Sequence, residues 1–190
     1  MHRLTAYGHS WVHGTGATGY DRCLVALAAR SLGSAADNRG VGGTLSTQTA
    51  ELASRQEPSG ATTFLLITGL NDARLHGSCV AGLDRYSAAL HSIFRAFRAT
   101  SPEALIVAVA QPHLLDYSLH APHDRGSDED VDAYNGRLRE VVGNHSGTLL
   151  VTVGAWDPRT MLAEDTVHPN DAGHATIART VTEAVANVWT

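Results

Sequence analysis

The sequence predicts an α/β fold of three layers, a parallel sheet of about five strands with helices on both faces. Three observations carry this. Residues 62–68 (TTFLLIT) and 104–110 (ALIVAVA) are apolar or β-branched throughout, which fits strands covered on both faces rather than strands with one wet side. Segments with helical spacing alternate with such runs along the whole length, and parallel neighbours require crossovers of that kind. The loops leaving the strands are rich in Gly and polar residues, and ligands in such sheets sit beyond the carboxyl ends of the strands.

In chain order, residues 3–7 form the first strand. Residues 21–32 (DRCLVALAARSL) carry apolar side chains at helical spacing and stop at Gly33. A Gly-rich stretch, YGHSWVHGTGATG, lies between them. Residues 35–38 are a short second strand running into RGVGG, after which 46–55 reads as a helix opened by a Ser cap. The third strand, 62–68, is central and ends in the polar loop Gly69-Leu70-Asn71-Asp72. Then come an amphipathic helix at 84–99, a strand at 104–110, a helix at 130–142, a last strand at 148–153 and a closing helix at 171–189. Residues 111–129 are too long for an ordinary connection and read as a lip over a site or a solvated loop.

Composition narrows the chemistry. With 190 residues, 43% of them hydrophobic, residues 1–190 fit a single domain able to bury a core. The formal charge is -5, from 19 acidic and 14 basic residues, and the basic ones are scattered, so no nucleic-acid partner is expected. Every one of them is Arg, which removes Schiff-base, pyridoxal-phosphate and P-loop lysines. The segment before the first motif is too short and polar for a signal peptide, and no apolar run approaches the ~20 residues that span a bilayer. A soluble, cytoplasmic protein without a membrane partner is expected. Cys23 and Cys79 have neither metal spacing nor a disulfide framework around them.

A serine becomes a nucleophile when a base takes its proton and a third group holds that base. Ser10 sits between a strand and a helix, where its hydroxyl is exposed and its N–H faces a developing oxyanion, although the Gly-x-Ser-x-Gly elbow is absent. Near the other end, Asp165 and His168 stand three residues apart in a loop before the last helix. There the carboxylate can hold one imidazole nitrogen and leave the other for the serine. RGVGG supplies a backbone N–H and Asn71 a side-chain amide as further oxyanion donors.

Gly8-His9-Ser10, Gly43 in NRGVGGT, Gly69-Leu70-Asn71-Asp72 and Asp165-Thr166-Val167-His168 resemble, in order, the four blocks of the SGNH (GDSL-like) hydrolases, serine esterases and lipases. The resemblance spans residues 8–168. It implies a flavodoxin-like three-layer fold, Ser10 as nucleophile, a triad completed by Asp165 and His168, and an oxyanion hole of Ser10 N–H, Gly43 N–H and the Asn71 amide. Gly42 is the alternative to Gly43. The family usually has Asp immediately before the serine, whereas this chain has His9. That imidazole removes a negative charge, adds a titrating group and can still hydrogen-bond the turn.

Trp11 and His113 are the candidate substrate contacts, Trp11 being equally a packing residue under the first helix. His13, His76, His120 and His123 are further histidines for the mouth of the site or for the surface, and His174 reads as a helix-surface residue. His9 and His13 are the one pair at His-x-x-x-His spacing, and Ser10 stands where the His-Glu-x-x-His zinc motif has its Glu, so neither a metal nor a cofactor is expected. The reaction implied is hydrolysis of a small-molecule ester or thioester through an acyl-enzyme. Acyl transfer to another acceptor would use the same residues, and a catalytically silent binding protein on the hydrolase fold is the alternative from another class.

Overall fold

A computed structural model describes residues 2–55 and 60–189. Five strands, β1 (Arg3–Gly8), β2 (Ala35–Asn38), β3 (Thr63–Ile67), β4 (Leu105–Ala110) and β5 (Thr148–Thr152), form one sheet in the order β2-β1-β3-β4-β5. Every pairing is parallel. The unbroken apolar runs explain the arrangement. β3 is buried at every position, and β1 and β4 at all but their first, so these strands need a helical layer on each face.

The helices divide accordingly. α2 (Leu24–Ser31) and the closing helix α8 (Asp171–Trp189) pack together over one face, while α3 (Ser46–Ser54), α5 (Val80–Thr100) and α6 (Asp128–Gly143) pack in series over the other. Right-handed crossovers running left from β1 to β2 and right from β3 to β5 put them on opposite faces. Phe97 of α5 anchors its layer, stacked on Phe64 of β3 at 4.2 Å between ring centroids and against Tyr7 of β1 at 5.0 Å.

The strand order is the flavodoxin-like one, and it reverses beside β1, the topological switch point where the carboxyl ends of strands leave a crevice. Gly8, the last residue of β1, has φ +147, and a Cβ there would lie 1.9 Å from the carbonyl oxygen of Ile67. Only glycine lets the chain leave β1 this close to β3.

Short helices replace two of the expected loops. Ser10–His13 is a single turn, α1, and Leu70–His76 is α4, so Asn71 and Asp72 sit on a helix rather than in a coil. The helix predicted from residue 21 begins at Leu24 after a 3-10 turn at Tyr20–Arg22, and α5 begins at Val80 rather than 84. Ser46 is not the cap of α3. Leu45 holds that position, and the Ser46 N–H and hydroxyl both donate to the Asp72 carboxylate, at 2.9 and 2.6 Å. A short helix, α7 (Pro158–Met161), follows β5. Among the described residues, no helix is long and apolar enough to cross a membrane.

Candidate active site

Ser10 leaves the end of β1 as the first residue of α1. Its Oγ lies 3.0 Å from His168 Nε2, and His168 Nδ1 lies 2.6 Å from Asp165 Oδ2. The Asp165–His168 turn is self-supporting. Thr166 adopts φ +62, and the second carboxylate oxygen, Asp165 Oδ1, accepts the N–H groups of Val167 (3.0 Å) and His168 (2.9 Å). Partial burial raises the Asp165 pKa, but the N–H donors of His168 and Val167 outweigh it and hold the carboxyl below its usual value.

Neighbouring elements hold this turn against β1. The Trp11 indole N–H donates to Val167 O at 3.0 Å. Gly16, at φ +92, approaches so closely that a Cβ would lie 2.2 Å from Pro169 O. Trp11 itself is 0% exposed and stacks on Trp156 at 5.5 Å. The expectation that Trp11 faces an acyl group is therefore corrected: its indole is consumed in joining the serine turn to the histidine turn. Sequence reasoning missed Trp156 as its partner.

The loop after β2 reaches the same place. Val41 N–H donates to Gly8 O at 2.9 Å, and Asn38 reaches across to Val12 O at 2.8 Å. Gly43 is exposed with φ +74, in open space on its Cβ side, so the left-handed backbone rather than crowding calls for glycine. Asn71, 5% exposed, donates one amide hydrogen to Thr44 O at 2.9 Å. With Asp72 bound to Ser46, the Gly43 loop is clamped to α4 from both sides. Among the described residues, neither the Ser10 nor the Gly43 N–H has a protein acceptor, and the second amide hydrogen of Asn71 is uncommitted.

His9 is wholly buried and caps α1. Its Nδ1 accepts the Trp11 N–H at 3.4 Å, so the proton sits on Nε2 and is donated to Gln111 Oε1 at 3.1 Å. Gln111 is oriented for this by its own amide N–H to Pro112 O at 3.3 Å. The imidazole thus serves the turn as an acceptor while Gln111 disposes of its proton. It does not titrate near neutrality, because burial pushes its pKa from 6.5 down to about 4 against the opposing Gln111 bond, with His168, Arg74 and His123 assisting the fall. In the unfolded chain the same ring titrates near 6.5. Its contribution to stability is therefore complete above that value and erodes as pH falls toward 4, by on the order of 3 kcal/mol. Thermal unfolding followed from pH 7 to 4 should show this loss, and His9→Asn, which keeps an acceptor for the Trp11 N–H, should shrink it. An unchanged profile in that variant would exclude His9 as the source.

The segment between β4 and α6, read from the sequence as a lip or a solvated loop, packs beside the His168 turn. Leu115 N–H donates to Thr166 O at 3.5 Å, and the His120 ring lies 5.8 Å from that of His168. Arg74 of α4, 2% exposed, holds it from beneath through its guanidinium to the carbonyls of Leu119 and Tyr117. Burial lowers the Arg74 pKa, offset in part by Tyr117, Asp116, Asp124 and Asp165. His113 does not join the triad. It bonds Asp132 at 2.9 Å and lines a cavity of about 520 Å³ with Gln111, Asp128 and Trp156, to which neither Ser10 nor His168 contributes. The surface reading of His174 is also overturned: it is 0% exposed, accepting Leu24 N–H at 3.3 Å and bonding Thr15 O at 3.1 Å.

The chain resembles known proteins in sequence family and in fold. The model of the GDSL-like Lipase/Acylhydrolase family matches residues 6–176. No curated protein sequence matches the chain. Among solved structures, a carbohydrate esterase family 3 protein from Talaromyces cellulolyticus is 18% identical with a TM-score of 0.69, over 99% of this chain and 98% of its own. A carbohydrate esterase family 2 enzyme with a carbohydrate-binding domain, from Corynascus thermopiles (Myceliophthora fergusii), is 16% identical with a TM-score of 0.77, over 99% of this chain and 66% of its own. A protein from Parabacteroides merdae described as a GDSL-like lipase is 18% identical with a TM-score of 0.74, over 97% and 95%. At these identities the likeness is one of fold. The match over most of the chain, together with the four sequence blocks at one sheet edge, places it in the GDSL-like lipase/acylhydrolase family, as a carboxylic ester hydrolase.

Proposed function

We propose that the chain is a serine esterase working through an acyl-enzyme on Ser10. The observation that carries this is the continuous chain Ser10 Oγ, His168, Asp165, at 3.0 and 2.6 Å. With the His168 proton on Nδ1 and bonded to Asp165, the lone pair on Nε2 faces the serine. Ser10 Oγ attacks the ester carbonyl and its proton passes to His168 Nε2. The oxyanion is held by the N–H groups of Ser10 and Gly43 and the free amide hydrogen of Asn71. His168 then returns the proton to the leaving alcohol or thiol. A water molecule, deprotonated by the same imidazole, cleaves the acyl-enzyme and releases the carboxylic acid.

The substrate in this reading is a small-molecule ester or thioester, and the carbohydrate esterases that share the fold make acylated sugars the first compounds to assay. The family match also supports reading residues 1–190 as a single domain. The test is covalent. A fluorophosphonate should label the native protein stoichiometrically, and peptide mass analysis should find the adduct on Ser10. A folded protein that resists the probe, or carries it on another residue, would overturn the proposal.

A further inference from the structure

The lip brings a third metal-binding side chain to the triad. The donor atoms of His120, Asp165 and His168 all lie within 4.8 Å of one another, and His120 is exposed. Among the described residues this is the one group of three such donors. The second histidine pair, His91 and His145 at 2.9 Å, has no such third partner. We propose that His120, Asp165 and His168 form a binding site for a divalent transition-metal ion of the zinc type, and that filling it switches the esterase off.

The donor set has the right chemistry. Two imidazoles and one carboxylate suit a borderline ion, and a fourth position remains for water. The spacing is close to what zinc needs. Bonds of about 2.0–2.2 Å in a tetrahedron put donors a little over 3 Å apart, so binding through His168 Nδ1 needs its 2.6 Å bond to Asp165 to lengthen and the exposed His120 side chain to adjust. Its backbone is nonetheless fixed, since His120 O accepts the His123 N–H at 3.0 Å and Arg74 grips the preceding carbonyls. The Asp165 carboxylate is held in place by the N–H groups of Val167 and His168 on Oδ1, which leaves Oδ2 facing the imidazole.

Inhibition follows whichever nitrogen of His168 binds. Coordination through Nε2 occupies the lone pair that faces Ser10. Coordination through Nδ1 expels the proton shared with Asp165, and the remaining tautomer carries its proton on Nε2. In both cases the ring can no longer accept the serine proton. This loss of activity rests on the proposed role of His168, whereas the binding of the ion does not.

Two measurements separate the two. Zinc chloride is titrated calorimetrically into Ser10→Ala and into Ser10→Ala/His120→Asn, asparagine being tolerant of the left-handed backbone at 120. One zinc per chain is expected in the first, with affinity about tenfold or more weaker in the second. Equal binding by the two, or none, would refute the site. In parallel, p-nitrophenyl acetate hydrolysis by the wild type should be inhibited by micromolar zinc and restored by a chelator. His120→Asn, relative to its own zinc-free rate, should need about tenfold more. Identical inhibition curves would overturn the switch. A protein that binds zinc through His120 yet hydrolyses no ester without it would uphold the site and refute the esterase reading instead.

Discussion

Ser10→Ala is expected to lower kcat for ester hydrolysis by about four to six orders of magnitude, and His168→Ala by a similar amount. The reason lies in how the two act as one unit. Without the base, the serine hydroxyl stays protonated and is a poor nucleophile. Without the serine, His168 has nothing to activate except water. The double variant should therefore be scarcely worse than either single one, with a residual rate set by the oxyanion donors. The fold should not change, because among the described residues Ser10 Oγ bonds His168 alone. Thermal unfolding within a few degrees of wild type, together with collapsed turnover of p-nitrophenyl acetate, is the expected pair of results. Turnover by Ser10→Ala within tenfold of wild type would remove Ser10 from the mechanism.

The parts of the molecule legible in the sequence are those governed by one physical rule at a time. Residues 62–68 and 104–110 are buried on both faces and so contain little but apolar residues, which marks them as inner strands. The closing helix matched at both ends, from Asp171 to Trp189, because a plain amphipathic pattern suffices there. The Asp165 and His168 pairing was legible because both partners lie within one turn. What stayed hidden depends on partners far away in the chain. α4 reads as a polar loop because Asn71, Asp72 and Arg74 are polar, yet all three are buried. Their partners are Thr44, Ser46 and the carbonyls of the lip. Ser46 looks like a helix cap, but Leu45 holds that position and the Ser46 N–H and hydroxyl go to the distant carboxylate of Asp72. Trp11 follows the nucleophile, which suggests a substrate wall, but Val167 and Trp156 claim both its N–H and its ring. His9 is the clearest case. A histidine where the family has a carboxylate reads as a perturbation of the nucleophile, but Gln111, far along the chain, accepts its Nε2–H and leaves Nδ1 of the neutral ring as an acceptor that caps the serine turn.

Asp165→Asn should reduce kcat by about ten-thousandfold, and the geometry specifies why so small a change costs so much. Asp165 divides its two oxygens between tasks: Oδ1 takes the backbone N–H groups of Val167 and His168, and Oδ2 takes His168 Nδ1. An asparagine must put its single oxygen where the two backbone donors are, since an amide nitrogen there would meet two N–H groups head-on. Its NH2 then faces His168 Nδ1 and donates to it. That bond favours the tautomer with the proton on Nε2, so the nitrogen 3.0 Å from Ser10 Oγ becomes a donor instead of a base. The turn should survive, because the backbone bonds are kept. Asp165→Ala loses those bonds as well and should be the less stable of the two variants. The decisive comparison is therefore kcat/KM beside the unfolding midpoint for each. If Asp165→Asn were as unstable as Asp165→Ala, the loss of activity would report collapse of the turn. If it were as active as wild type, His168 would not depend on Asp165 for its tautomer.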